Sequence, residues 1–447
     1  MVAEDNEEYR YEWKLHGIML IKIKYIMEIK EILEDYPSLK LQYEQVERMS
    51  LVKFLLKKEQ RRELDRIKKE MNNLIMTTEE YNNNFSDYGW IAYSLINVEF
   101  MKKANQLFKD NGITEAEEFI ADYYIENSKK AKKFIQYSSN EFRRRSNIID
   151  EAFQTCENKQ YYSAVTLFFT IADGVINDFT KNKGFFTEGL DLDCWDCLVE
   201  CDKGLKKIKD IYNLPRKRTN EEIIKMPYRN GILHGRDLNY GNKFVSGKCI
   251  VMLLAISEWI KNKNTEDKRK EPYIKDANPP ALGESLKRLQ GIENTRKIIN
   301  NYESKKIVVG KDIPIAGKKE EYVQYDFIYK FVETLEIWKS KNYGELAKRF
   351  EILFNYEDRA GYRPKRCREI FEKNILIEFK LINIIDQAIC MKVIELEVKL
   401  QKENKIVKGI MKIGMVYEGQ KDVLAIPNKN NDEWKIYPRD TKILYES

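Results

Sequence analysis

The chain has 447 residues, 43% of them hydrophobic and 34% charged, with a formal net charge of +6. That length exceeds what one hydrophobic core organises, and so small a charge excess excludes a molecule basic all over, so any nucleic-acid-binding face must be local. Seven cysteines, an odd number at irregular spacing, argue against a disulfide framework and for reduced thiols in a cytoplasmic protein.

The amino-terminal MVAEDNEEYRYEW is acidic and lacks the basic and apolar regions of a signal peptide. The next stretch, GIMLIKIKYIMEIKEIL, is broken by Lys and Glu every few residues and falls short of the ~20 apolar residues a membrane span requires, so a buried helix and no membrane partner are expected. Residues 1–135 read as a helical amino-terminal region. Within it Leu64, Ile67, Met71 and Leu74 follow a 3, 4, 3 spacing, a narrow seam suited to an antiparallel hairpin or to a coiled-coil-like dimer contact. WIAYSLINVEFMKKANQLFKDNG and TEAEEFIADYYIENS should then form a helical pair, the second capped by Thr114.

Residues 140–262 read as a helical bundle. EFRRRSNIIDEAFQTCENKQ is one helix, and YYSAVTLFFTIADGVINDFTKNKG is another, almost wholly apolar from Ala164 to Ile176 and therefore buried on most sides. Asp173 interrupts that run and needs a partner, either as a structural hydrogen-bonding group or in a site shared with His234. A further helix is expected over DCWDCLVECDKGLKKIKDIY. Its Cys194, Cys197 and Cys201 resemble half a zinc site, but no histidine lies nearby and one helix face produces the same spacing, so no metal is expected. The basic PRKRTN, with Arg216, Lys217 and Arg218, leads through another helical segment to PYRNGILHGRDLNYGNK, and a last apolar helix covers GNKFVSGKCIVMLLAISEWIKNK.

Residues 263–322 read as a charged linker with one amphipathic helix from Glu284 to Tyr302. In residues 323–447 a long helix broken near Gly344 and a shorter one over PKRCREIFEK precede strands. Ile394, Leu396, Val398 and Leu400 alternate with Glu395, Glu397, Lys399 and Gln401, and ILIEFKLINI, VKGIMKIGMVYE, DVLAIP and EWKIYP supply further strands. The fold class is thus mainly α with a carboxy-terminal α+β domain. The order of elements in 323–447 is similar to the nuclear-transport-factor-like cone, which implies a curved antiparallel sheet packed on helices around a pocket. Asp386, Glu378 and Tyr417 are isolated polar candidates there, and the region contains no histidine.

The chemistry concentrates at residues 227–243. Pro227 suits a helix start and Gly235 the left-handed position after its end, so YRNGILH should be a short helix stopped sharply. Asn230 and His234, four apart, share a face, so the Asn230 amide is placed to hold one ring nitrogen. Arg229 lies five residues before His234, about 140° around the helix, so its long side chain must reach toward the histidine or both must point at a shared object. A phosphodiester fits: histidine moves protons near neutral pH, and arginine grips phosphoryl oxygens. One histidine cannot easily be both base and acid, and His16 is remote in sequence, so a symmetric dimer is the economical solution.

Arg229-Asn230-Gly-Ile-Leu-His234, between antiparallel helices and a following apolar helix, resembles the motif of the HEPN superfamily, and the likeness covers residues 140–262. The resemblance implies a metal-independent endoribonuclease that needs no cofactor, acts on RNA as a homodimer in toxin–antitoxin or antiphage defence, and has an antitoxin or regulatory protein as a further partner. Arg229 would stabilise the phosphate, His234 would be acid and base, and Asn230 the orienting residue. From the residues themselves, Arg236, Tyr240 and Lys243, and equally Arg216, Lys217 and Arg218, are placed to extend a phosphate-contacting surface, with Asp173 a further substrate-binding candidate. Two other readings stand beside it. In one the bundle is a noncatalytic nucleic-acid-binding or dimerisation scaffold, with Arg229 paired to a carboxylate and His234 satisfied at a helix end. In the other an active site lies in the carboxy-terminal pocket.

Overall fold

Apolar residues at helical spacing dominate the first 300 positions, and helices dominate the structure built from them. A computed structural model describes residues 27–275, 282–350, 362–403, 405–418, 427 and 433–444. It divides into two compact units, residues 1–289 and 290–447. The chain is mainly α with a carboxy-terminal α+β unit, as its patterning predicts. Among the described residues no helix is long and apolar enough to cross a membrane.

The first unit opens with α1 (27–33), α2 (Pro37–Leu51) and α3 (Lys58–Phe85). Of the stretch expected as the first buried helix, residues 17–26 lie outside the described residues, while Ile29 and Leu33 of α1 pack with Tyr43 and Ile75. The expected seam on α3 holds for three of its four members: Leu64 is buried with Ile67 packed beside it, and Met71 packs in a second small cluster with Ile75. Leu74 is 41% exposed and Ile75 takes the core position. A straight helix of 3.6 residues per turn drifts away from a 3.5-residue repeat, so the stripe moves on by one residue.

Next come α4 (Val98–Asn111), α5 (Ile113–Glu126), α6 (Ser128–Ser138), α7 (Asn140–Arg143), α8 (Ser146–Glu157), α9 (Tyr161–Thr180) and α10 (Leu205–Tyr212). The helix expected from Trp90 starts only at Val98, because the Asn97 side chain accepts from the backbone N–H groups of Glu99 and Phe100 and caps it there. Thr114 is not a cap; Gly112, at φ +82°, precedes α5 and Thr114 lies in its first turn. The helix expected over 193–212 shrinks to α10, since Asp196 at φ +55° breaks the run. The three cysteines upstream therefore do not share a helix face.

The segment expected as helical after PRKRTN is instead strand β1 (Asn220–Ile223). After α11 (Arg229–Leu233) comes β2 (Asp237–Asn239), and β1 and β2 pair in parallel, Asn220 opposite Asp237. A backbone partner brought back by the chain outweighs local helix preference. Helix α12 (Lys243–Asn264) is buried at every position from Val245 to Ile260. A helix apolar all round must be covered on every side. Here α5 and α6 cover it together with α9 and α10, so one core runs from Tyr81 to Ile260, and residues 135–140 mark no break within it.

The helix expected from Glu284 to Tyr302 is present as α14 (Leu282–Asn300), and α13 (Glu266–Lys275) precedes it. Ile307, Ile313 and Tyr322 are buried in the core of the second unit. That unit contains α15 (Asp326–Lys339), α16 (Tyr343–Arg349) and α17 (Tyr362–Phe371). The break comes at Lys341, φ +59°, and Gly344 lies inside α16. Strands β3 (Ile375–Ala388), β4 (Met391–Lys402), β5 (Lys405–Glu418) and β6 (Glu433–Asp440) form an antiparallel sheet in the order β3-β4-β5-β6. Ile394, Leu396, Val398 and Leu400 are all fully buried, as alternation predicts. Of the strand expected at DVLAIP, residues 422–426 lie outside the described residues.

Candidate active site at the end of a short helix

The turn that carries the motif is built by its glycines. Helix α11 is preceded by Tyr228 in extended conformation and followed by Gly235 at φ +65°. Arg236 N–H donates to the Gly231 carbonyl at 2.7 Å and Gly235 N–H to the Ile232 carbonyl at 3.1 Å, the paired bonds of a Schellman stop. The expected short, sharply ended helix is present, and His234 is the residue that caps its end. A β-carbon on Gly231 would sit 1.8 Å from Oδ2 of Asp237, so only glycine fits there. Asp237 is itself buried and accepts from Arg216 Nε at 3.1 Å and Asn220 Nδ2 at 3.0 Å. Arg216 also lies over the Tyr228 ring, 3.9 Å from its centroid. Arg216, Asn220 and Asp237 thereby clamp the turn from outside.

The arginine end faces inward. Arg229 Nη2 donates to Asp173 Oδ2 at 3.2 Å and Nη1 to Asn230 Oδ1 at 3.2 Å, with the Phe186 ring 5.4 Å away. Its Nε is buried without a hydrogen-bond partner among the described residues. Asp173 also accepts from the Phe186 N–H at 3.2 Å. The carboxylate interrupting the apolar run of α9 does have its partner, and that partner is the motif arginine. Both side chains of the pair are about one-third exposed, at 28% and 32%.

Asn230 does not hold the imidazole. Its Nδ2 donates to the Asn213 carbonyl at 2.9 Å, and its Oδ1 is taken by Arg229. The four-residue spacing places Asn230 and His234 on adjacent turns, but the end of α10 supplies a closer acceptor. Asn230 therefore positions the arginine. His234 is exposed, its N–H donates to the Asn230 carbonyl at 3.2 Å, and its ring has no hydrogen-bond partner among the described residues.

The surrounding candidates divide by what already holds them. Arg236 is exposed and reaches the Arg216 carbonyl, while Lys217 and Arg218 are exposed beside it. Tyr240 is half-buried, edge-on to Tyr162 at 4.8 Å. Lys243 is turned toward α5, where it pairs with Glu118 and, at 2.6 Å, with Asp122. Its charge is compensated within the chain. Asn213, Phe186, Gly231 and Asp237 complete the site, and sequence reasoning did not single them out; only the sharp spacing of Gly231 inside the motif offered a signal.

In the second unit Asp386 is not isolated: it accepts from Lys392 Nζ at 2.5 Å, from the Lys305 N–H at 2.9 Å and from the Tyr302 hydroxyl. Burial opposes its charge, but Lys392 and Tyr302 outweigh that and hold its carboxyl below the usual range. Glu378 faces Lys399 across the sheet at 3.6 Å, and Tyr417 is buried against Trp434. Among the described residues no group of three or more His, Cys, Asp or Glu could hold a metal ion. No family model, curated protein or solved structure matches this chain.

Proposed function

We propose that this protein is a metal-independent endoribonuclease of the HEPN type, acting as a homodimer. One observation carries the reading: His234 stands exposed with an unengaged ring at the end of a glycine-stopped helix, and Arg229, at the start of that helix, has its guanidinium held by Asn230 and Asp173. Histidine is the side chain suited to taking and giving a proton near neutral pH. In the dimer one His234 removes the 2′-hydroxyl proton of the RNA, the freed oxygen attacks the adjacent phosphorus, and the His234 of the second copy protonates the departing 5′ oxygen. Arg229 stabilises the charge that grows on the phosphoryl oxygens.

Asp173 then acts as a stand-in anion. A partly exposed ion pair contributes only about 0–1 kcal/mol, and a phosphate gripped by two guanidinium N–H groups binds more strongly, so exchange is cheap. The exposed Lys217, Arg218 and Arg236 give the RNA backbone further contacts. The setting we propose is cytoplasmic, in toxin–antitoxin or antiphage defence, with a restraining protein as partner. For residues 323–447, the antiparallel sheet packed on α15 supports a cone-like role in holding a ligand or in assembly.

The test is RNA cleavage by the full chain in the presence of a chelator. We expect His234→Ala to lower the rate by ~10²–10⁴ while leaving the dimer and the unfolding midpoint unchanged. Equal cleavage by the variant overturns the proposal. The compensation of Arg229 by Asp173 favours a second reading, a noncatalytic scaffold, which predicts no cleavage by either protein and a dimer that survives the substitution.

A further inference from the structure

Away from the motif, Cys194 and Cys197 stand at the two ends of a turn whose central residues are Trp195 and Asp196. The ends of such a turn lie under about 7 Å apart at Cα, inside the range a disulfide spans. Asp196 adopts φ +55°, a left-handed conformation that a non-glycine residue holds only when its surroundings enforce it. They do so here. Ser38 donates to the Asp196 carboxylate from its N–H at 3.1 Å, and Arg269 donates to the backbone carbonyls of Asp196 at 3.1 Å and Trp195 at 2.9 Å. The Trp259 indole N–H holds the approach to the turn through the Leu192 carbonyl at 2.8 Å.

The two sulfurs are differentiated by what surrounds them. The Arg269 guanidinium lies 4.0 Å from the Cys194 sulfur. Asn262 Nδ2 donates to the Cys197 sulfur at 3.2 Å. A hydrogen bond with Cys197 holds the Cys194 thiol below its ordinary value against burial and the Glu266 carboxylate, with Arg269 and Lys263 assisting. Cys197, by the same bond and by its burial, is pushed well above. Cys201, the third cysteine of the stretch, is engaged with Tyr36 instead and its thiol is raised, first by burial. Two thiols at the ends of one turn, one beside a guanidinium and the other beside a neutral amide, have the arrangement of an attacking and a resolving cysteine.

We propose that Cys194 and Cys197 form a peroxide-reactive dithiol that closes reversibly to an intramolecular disulfide. The Cys194 thiolate attacks one oxygen of hydrogen peroxide, the O–O bond breaks, and the displaced hydroxide takes a proton to become water. This leaves Cys194 as a sulfenic acid. The Cys197 sulfur then attacks the Cys194 sulfur, the S–O bond breaks, and the hydroxyl departs as water with the Cys197 proton. Two thiols have lost two electrons, and peroxide has been reduced to two waters. Only a small oxidant suits the pair, because both residues are 3% exposed. A thiol reductant reopens the bond. The step is independent of any ribonuclease activity.

The test uses the full-length protein, treated with micromolar hydrogen peroxide and then alkylated before and after reduction, with the cysteine peptides read by mass spectrometry. Cys201 and Cys390, which are more exposed, and the buried Cys156, Cys249 and Cys367 serve as internal controls. We expect Cys194 and Cys197 to lose reactivity together and ahead of the other five, with their shared peptide lighter by two hydrogens and restored by dithiothreitol. Cys197→Ser should stop at the sulfenic acid and be trapped by dimedone at Cys194, and Cys194→Ser should leave Cys197 reduced. A circular dichroism spectrum unchanged by oxidation of the wild-type chain separates this chemistry from unfolding. Oxidation of Cys201 or Cys390 first, or a Cys197 that oxidises equally in Cys194→Ser, overturns the proposal.

Discussion

Two ion pairs in the first unit are made of the same chemistry and play different parts. Lys248, on the buried helix α12, donates to Glu117 of α5 at 2.6 Å and to the Lys225 carbonyl at 2.6 Å, with the Trp90 indole donating to the same Glu117 oxygen at 3.2 Å. Lys248 is 1% exposed and Glu117 4%. Arg229 and Asp173 are paired too, but with both side chains about one-third exposed. Burial makes the difference. Where water is excluded the Lys248 charge depends on Glu117, which also pairs with Lys225 Nζ at 3.4 Å, and these contacts fix the path of the chain entering the motif at Lys225. Where water reaches, a counter-ion can be exchanged for a ligand. The buried pair is scaffold, and the exposed one is where recognition can occur.

That contrast is most sharply broken at Glu117. Glu117→Ala strands the Lys248 ammonium in the core and should cost about 3–5 kcal/mol, read from denaturant unfolding. Replacing both partners, Glu117→Leu with Lys248→Met, should recover most of the loss. A single variant as stable as the wild type would show that the pair is not the anchor.

Gly231 tests the site's own frame. Gly231→Ala forces a methyl group onto Asp237, and we expect a loss of about 1–3 kcal/mol in thermal unfolding. An unchanged midpoint would mean that the clamp at Asp237 moves freely.

The alkaline limb offers a quieter measure of the buried pair. Burial pulls the Lys248 ammonium from 10.5 down to about 8, against the attraction of Glu117. Below pH 8 the lysine is charged in both folded and unfolded chains, so its contribution is constant. Between about 8 and 10.5 the unfolded chain binds the extra proton, and stability from this group rises with pH, by up to about 1.4 kcal/mol per unit. The slope of stability in wild type minus that in Lys248→Met should therefore be positive from pH 8 to 10. A difference of zero would place the titration elsewhere.

The smallest expected effect sharpens the exposed side of the comparison. Asp173→Asn should change stability by less than about 1 kcal/mol, because the pair it breaks is partly solvated. It should raise affinity for a short single-stranded RNA, measured by fluorescence anisotropy at two salt concentrations. Weaker binding by the variant would make Asp173 part of the RNA-contacting surface.

The site was legible in the chain where a residue's type constrains it strongly by itself. Gly235 had to be left-handed after a helix end, and it is. Asp173 could not sit alone in an apolar helix, and it does not. The alternation of residues 394–400 required a buried face, and the sheet has one. Partner choice was not legible. Asn230 was read toward His234 on spacing alone, yet Asn213, seventeen residues earlier, supplies the acceptor. Lys243 looked like a phosphate contact until α5, more than a hundred residues upstream, brought Glu118 and Asp122 against it.

What the sequence by itself determined, then, are the properties carried by short periods and single stereochemical demands: helix against strand over most of the chain, the stop after His234, and the need of each buried charge for a counter-charge. Tertiary structure alone decided which counter-charge, whether residues 220–223 paired as a strand, and that α5 and α6 joined α9 and α10 around α12 in one core. The reason is one of range. A dihedral preference or a repeat of 3.6 or 2 residues acts within a few positions, whereas an ion pair or a strand partner is chosen among all groups the folded chain brings within a few ångströms.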